Sequence, residues 1–161
     1  MKASHAIAIG FLAWLLSACH HADQAGMHNP AQTRIDGVVQ ELHAGSVETV
    51  EVLQIPPNTE FLIRVTPETL EKAWIYKTAV RRIDSGRLDN LLAVLKRARV
   101  EQVATGSDIR SGIIFHASSN DRRLGAIYFD RTGRRGAVDN IPASFGENLF
   151  SHLKVALSMC E

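Results

Sequence analysis

Residues 111–140 read SGIIFHASSNDRRLGAIYFDRTGRRGAVDN and contain the clearest strand pattern of the chain. Its apolar runs at 111–117, 124–130 and 134–140 are separated by two polar turns, which predicts three consecutive strands. The second turn, 130–133, ends in a glycine suited to the left-handed position after a type I turn. Because short turns join antiparallel strands, we expect a β-meander.

Two further strands are predicted upstream of the meander. Residues 47–55 are rich in β-branched side chains and end at a Pro-Pro pair. Residues 74–83 alternate in character, so their side chains should divide between two faces. One of these faces carries Trp74, Tyr76, Thr78 and Val80.

Helices are predicted from apolar spacing and from capping residues. The clearest helix covers residues 86–98, where an apolar stripe recurs at helical spacing. Thr66-Pro67-Glu68 predicts the start of a short helix. Ser144-Phe-Gly-Glu147 matches a capping box and predicts a last helix directly after it. Residues 35–42 are compatible with either a short helix or an early strand.

The order of these elements predicts an α+β fold. We expect a largely antiparallel sheet of about five strands, with the two main helices packed on one of its faces.

The beginning of the chain has the form of an export signal. Lys2 is followed by the apolar run 6–16, which is shorter than the about 20 residues that a bilayer span requires. Leu16-Ser17-Ala18-Cys19 follows directly and resembles the lipobox of bacterial lipoprotein precursors. An ordinary secretory signal with a coincidental cysteine is the alternative, since small residues also suit that cleavage.

The resemblance implies that Cys19 is lipidated and becomes the first residue of the mature protein, where several acyl chains give a stable anchor. The next residue is His20, not the aspartate that favours inner-membrane retention in many Gram-negative lipoproteins. In a Gram-negative source this implies an outer-membrane protein facing the periplasm. The chain then divides into a cleaved signal at 1–18, a flexible tether at 19–34 and a single α+β domain at 35–161.

Charges balance in the predicted mature chain. Loss of the signal removes Lys2 and leaves 17 basic and 17 acidic side chains, so net charge does not favour nucleic acid as a partner. Residues 34–72 hold three basic and seven acidic side chains, whereas residues 81–135 hold twelve basic and six acidic. This asymmetry is typical either of a binding surface or of a solvated face.

No known catalytic pattern is present. The chain lacks Gly-x-Ser-x-Gly, His-Glu-x-x-His, a phosphate-binding loop and Cys-x-x-Cys, so we predict neither enzymatic activity nor a cofactor. With Cys19 lipidated, Cys160 remains alone and has no intramolecular disulfide partner. His116 lies inside the predicted sheet, and Asp130 or Asp139 beside it would make it a general base. A hydrogen-bonded or solvated strand histidine is the competing interpretation.

Metal binding is not predicted. His20, His21 and His28 lie in the tether and lack a fourth ligand. Asn120 and Asp121 occupy turn positions that favour these residues for backbone reasons.

Arg122, Arg123, Arg134 and Arg135 are the candidate partner contacts, because the planar guanidinium recognises carboxylates and phosphates with two parallel hydrogen bonds. Neighbouring turns of a meander lie at opposite ends of the sheet, so we expect two separate clusters. Charge on solvent-exposed turns is the alternative.

The anchor, the small size and the lack of a catalytic pattern resemble lipoproteins that protect bacteria from secreted antibacterial effectors. This resemblance implies a lipid-anchored periplasmic protein-binding module that acts as an immunity or inhibitor protein. A structural or assembly lipoprotein of the envelope is the alternative, and a small hydrolase using His116 is a second. The expected partners are the membrane, through the lipid on Cys19, and a protein of unknown identity.

Overall fold

The computed structural model describes residues 29–56, 58–117 and 122–159. The described residues form four helices: α1 Pro30–His43, α2 Pro67–Ala73, α3 Ser85–Arg97 and α4 Leu149–Ala156. They also form seven strands: β1 Val47–Gln54, β2 Tyr76–Arg81, β3 Val100–Gln102, β4 Ile109–Ala117, β5 Arg123–Asp130, β6 Arg135–Val138 and β7 Ile141–Phe145.

All seven strands belong to one open sheet, in the order β2-β1-β4-β5-β6-β7-β3. Every described pairing between neighbours is antiparallel. The predicted α+β class, antiparallel sheet and meander are therefore confirmed. The predicted number of about five strands is wrong, because β3 is only three residues long and β7 overlaps the capping box predicted at residues 144–147.

The predicted capping box at Ser144 and Glu147 is also wrong. Ser144 lies in β7, where it pairs with Glu101 on one side and Arg135 on the other. The last helix begins later, and the side chain of Asn148 caps it by accepting the backbone N–H of Ser151 at 3.1 Å. The Ser-x-x-Glu spacing therefore coincides with a strand that the two neighbouring strands hold in place.

Helix α1 resolves the open assignment of residues 35–42. Asn29 caps the helix by accepting the N–H of Gln32, and Pro30 occupies the first turn, where its missing N–H costs nothing. Ala31 and Ile35 are fully buried. The helix therefore begins at Pro30, within the range 19–34 that the sequence predicts as a tether.

Two apolar clusters lie on opposite faces of the sheet. Ile113 and Phe115 belong to the first cluster and Ile114 to the second, and successive residues of a strand point to opposite faces. The first cluster includes buried residues of α1, α3 and α4, whereas the second includes Leu70 of α2. Because α2 is short, it leaves part of the second face open beside β1 and β2, and polar side chains gather there.

Candidate functional site

A polar cleft lies on the second face of the sheet, next to α2. Glu71 of α2 and Arg123 of β5 line two adjoining cavities of about 510 Å³ and about 270 Å³. The larger cavity is also lined by Glu68, Lys72, Asp139 and Asn140. Around the smaller one lie Glu51, Leu53, Trp74, Lys77, Ile114 and His116. We call these two cavities together the polar cleft.

Arg123 stands between the two cavities and is neutralised by residues of its own chain. Its Nη1 donates to Oε1 of Glu71 at 2.7 Å, and its Nη2 donates to Oδ1 of Asp139 at 3.2 Å. The side chain is 36% exposed. The guanidinium is therefore positioned by two carboxylates, unlike a freely mobile surface arginine.

Asp139 is held by the turn between β6 and β7. Its φ is 50°, a left-handed value that aspartate tolerates better than most residues. The Asp139 N–H donates to the carbonyl of Ala126 at 2.8 Å, and its Oδ1 accepts the Ala126 N–H at 3.0 Å. Arg34 of α1 also approaches this carboxylate, with Nε 3.8 Å from Oδ2. The acceptor that faces Arg123 is thus fixed by backbone bonds.

Tyr128 lies under the cleft and contacts Glu71 and Arg123. Its side chain is fully buried, its hydroxyl donates to Oε1 of Glu71, and its ring lies 5.8 Å from Cζ of Arg123. Burial and the hydrogen bond to Glu71 raise the pKa of the Tyr128 hydroxyl well above its ordinary value. Burial lowers the pKa of Arg123, but Tyr128, Glu71 and Asp139 together raise it above its ordinary value. Tyr128 is therefore a neutral donor and Arg123 a permanent cation near neutral pH.

His116 lies in the smaller cavity with a different acid from those expected. Its Nε2 is 3.4 Å from Oε2 of Glu51, and Oε1 of the same carboxylate is 2.7 Å from Nζ of Lys77. Asp130 pairs with Ile109 at the far end of β4, and Asp139 binds Arg123, so neither predicted acid accompanies the histidine. The His116–Glu51 pair has the chemistry of an acid–base couple. The described residues that line this cavity include no serine, threonine or cysteine that the pair could activate as a nucleophile.

Three consecutive apolar residues at the junction of α2 and β2 are exposed, and the first of them lines the cleft. Trp74, Ile75 and Tyr76 are consecutive and are 41%, 47% and 61% exposed. The strand begins at Tyr76 and not at Trp74, and the Trp74 ring lines the cleft with Nζ of Lys77 5.9 Å from its centroid. The prediction that Trp74 shares a strand face with Tyr76 is therefore wrong. We call these three residues the Trp74–Tyr76 patch.

The four candidate arginines lie at two ends of the sheet. Arg122 and Arg123 are at the beginning of β5, whereas Arg134 and Arg135 follow its end, and each of the four is exposed. The structure does not bring the two pairs together. Of the four, Arg123 lines the cleft. The predicted lipidation site Cys19, the tether histidines, Asn120, Asp121 and Cys160 lie outside the described residues.

Several residues in or beneath the cleft were not singled out in the sequence, among them Glu51, Glu71 and Tyr128. Glu51 interrupts an apolar strand, which is a signal for a polar side chain with a partner. Glu71 and Tyr128 gave no comparable signal, because their contact depends on how α2 crosses the sheet.

Within the described ranges, no group of three or more histidine, cysteine, aspartate or glutamate side chains is arranged to hold a metal ion. None of the described helices is both long and apolar enough to span a bilayer. No protein-family model, curated protein or solved structure matches the chain.

Proposed function

We propose that this chain is a lipid-anchored, non-catalytic protein-binding module of the cell envelope. In this proposal Cys19 carries the lipid, the domain faces the periplasm, and the partner is a secreted antibacterial effector that the domain inhibits. The observation that carries the binding role is the Trp74–Tyr76 patch.

The patch has the composition of a binding hot spot. Isolated exposed apolar residues are ordinary on protein surfaces, but tryptophan and tyrosine are enriched where interfaces derive most of their binding energy. Trp74, Ile75 and Tyr76 are adjacent in the chain and all exposed. Two aromatic rings and a branched aliphatic side chain are thus open to a partner along one short segment.

The neighbouring polar cleft would fix the orientation of a partner bound to the patch. Its main charges are already paired within the chain, as Arg123 with Glu71 and Lys77 with Glu51. A partner would therefore meet side chains that are held in position, which lowers the entropy lost on binding. The patch supplies apolar contact, and the cleft supplies a fixed pattern of donors and acceptors beside it.

The anchor and the inhibitory role rest on the lipobox and on the small size of the domain. Leu16-Ser17-Ala18-Cys19 supports lipidation, and acylation supports a membrane-bound location. A structural or assembly lipoprotein would use the same anchor and the same patch, so the identity of the partner separates the two functions.

Affinity capture of the full-length protein from detergent-solubilised envelopes after cross-linking tests this proposal. The wild type should retain one secreted effector in stoichiometric amount, and Trp74→Ala should lose most of it. Val155→Ala is the matched control, because Val155 is also an exposed apolar residue, 75% exposed, but lies on α4. Recovery of envelope-assembly proteins would favour the alternative. If Trp74→Ala retains the same amount of partner as the wild type, the patch does not bind it.

A further inference from the structure

Among the strands that the structure describes, β2 is an edge of the sheet. It pairs with β1 on one side and has no neighbour on the other in the described sheet. Five of its six residues are exposed, and only Val80 is partly buried. An open edge of this kind is a template to which another extended chain can pair.

The backbone groups that face outward can be assigned. The N–H of Arg82 donates to the carbonyl of Glu48, so it points toward β1. Alternate residues of an antiparallel strand direct their backbone groups to the same side. Thr78 and Val80 therefore also face β1, and Lys77, Ala79 and Arg81 present their N–H and C=O groups outward.

The open edge is basic. Lys77 and Arg81 are separated by four positions, so they lie on the same face of the strand, and the described strand contains no acidic residue. Its inner neighbour β1, in contrast, carries Glu48 and Glu51. Lys77 already forms an ion pair with Glu51 across this pairing, at 2.7 Å. The one strand that β2 pairs with is thus complementary to it in charge.

Charge disfavours a second copy of this chain as the occupant. Two β2 strands paired antiparallel about Ala79 would place Lys77 opposite Arg81 twice, and like charges directly opposite each other destabilise a strand pair. An acidic strand would instead oppose them favourably. Such a strand would also run past the Trp74–Tyr76 patch at the beginning of β2.

From this edge we infer that β2 binds an extended acidic segment of a partner protein as an additional strand, with main-chain hydrogen bonds to Lys77, Ala79 and Arg81. This inference rests on the proposed protein-binding function and names the surface and the chemistry of the partner. Basic residues on an edge strand also prevent unspecific pairing with other strands. If no acidic segment binds, this protective role explains Lys77 and Arg81.

The test uses the full-length protein in detergent micelles and a capped peptide with the sequence of β1, VETVEVLQ, as the acidic probe. A second peptide carries Glu48→Lys and Glu51→Lys. Amide hydrogen exchange is measured residue by residue by NMR. The acidic peptide should slow amide exchange at Lys77, Ala79 and Arg81 by at least about tenfold. Exchange at Thr78 and Val80 should not change. The lysine peptide should slow exchange at none of these residues.

Two variants make the result specific. Ala79→Pro removes an outward N–H that β1 does not use, and proline is tolerated at such edge positions, so the fold should remain while binding of the acidic peptide falls by at least about tenfold. Ala79→Ser is its matched control and should bind as the wild type does. If Ala79→Pro fails to fold, Arg81→Glu replaces it. This variant should bind the acidic peptide more weakly and the lysine peptide more tightly than the wild type does.

Absence of protection by the acidic peptide, equal protection by both peptides, or unchanged binding in both variants would overturn the inference. The proposed function fails separately. If envelope capture recovers no partner although the acidic peptide protects the edge, the proposed function is wrong and β2 still binds acidic strands. If Ala79→Pro retains the captured partner in full, the proposed function stands and strand addition at β2 is wrong.

Discussion

The Arg123 guanidinium donates to Glu71 at 2.7 Å and so connects the beginning of β5 with the short helix α2. Both side chains are about one-third exposed, so the ion pair alone contributes little free energy of folding. The same oxygen of Glu71 also accepts the hydroxyl of Tyr128, which is buried. The position of α2 on the sheet therefore depends on a shared carboxylate more than on any single pair.

Tyr128→Phe should lower the free energy of unfolding by about 1.5 kcal/mol at neutral pH, because Glu71 loses a buried donor. The pKa of Tyr128 is raised in the folded protein, so its contribution is complete below the unfolded pKa of about 10 and is lost as the pH rises above it. Wild-type stability should then fall as the pH rises above about 10, and the difference from Tyr128→Phe should shrink. Urea unfolding at neutral and alkaline pH measures both effects.

The control for this prediction is Tyr76→Phe, which leaves Tyr128 in place and alters a side chain that is 61% exposed. This variant should keep the alkaline loss of stability. An equal alkaline loss in Tyr128→Phe and in the wild type would show that Tyr128 is not its source.

Two glycine substitutions should have opposite effects on stability. A Cβ at Gly136 would overlap the carbonyl oxygen of Tyr128 on the neighbouring strand, so Gly136→Ala should cost about 3 kcal/mol or more. A Cβ at Gly37, inside α1, would meet nothing within 4 Å, so Gly37→Ala should stabilise the protein by about 0.5–1 kcal/mol. Denaturant unfolding of both variants measures these changes. A loss of stability in Gly37→Ala would contradict the position of α1.

The central strands could be predicted because their apolar runs are bounded by turn residues. The meander of β4, β5 and β6 follows from residues 111–140 alone. The edge strand β3 and the strand β7 could not be predicted in the same way. They depend on pairing with each other, and β7 contains Pro142, which is rare in strands away from an edge.

The candidate site was only partly predictable. His116 and Arg123 were singled out in the sequence, and both line the cleft. Their partners Glu51 and Glu71 were not, because one lies on β1, separated from the meander by β2 and β3, and the other lies on α2. Sequence spacing does not indicate such contacts. They depend on strand order and on the placement of a helix.

His116→Ala tests the alternative of a small hydrolase. If the His116–Glu51 pair is not catalytic, no hydrolytic activity of the wild type should disappear in the variant. A screen of ester, amide and glycoside substrates with both proteins measures this. Activity that is present in the wild type and absent from His116→Ala would favour the hydrolase.

Cys19→Ser tests the anchor. Without the thiol no thioether can form, so metabolic labelling with a radioactive fatty acid should be lost and the protein should leave the membrane fraction. Cys160→Ser is the matched control and should keep both the label and the membrane location. A membrane-bound, labelled Cys19→Ser protein would contradict lipidation at this residue.

The dissociation constant of the captured partner, measured by calorimetry for the full-length protein in detergent, tests whether the Trp74–Tyr76 patch binds that partner. The double variant Trp74→Ala with Tyr76→Ala should bind at least about tenfold more weakly, since hot-spot residues each contribute more than about 1 kcal/mol. Val155→Ala should bind as the wild type does. An unchanged dissociation constant in the folded double variant would contradict the claim that this patch makes the chain a protein-binding module.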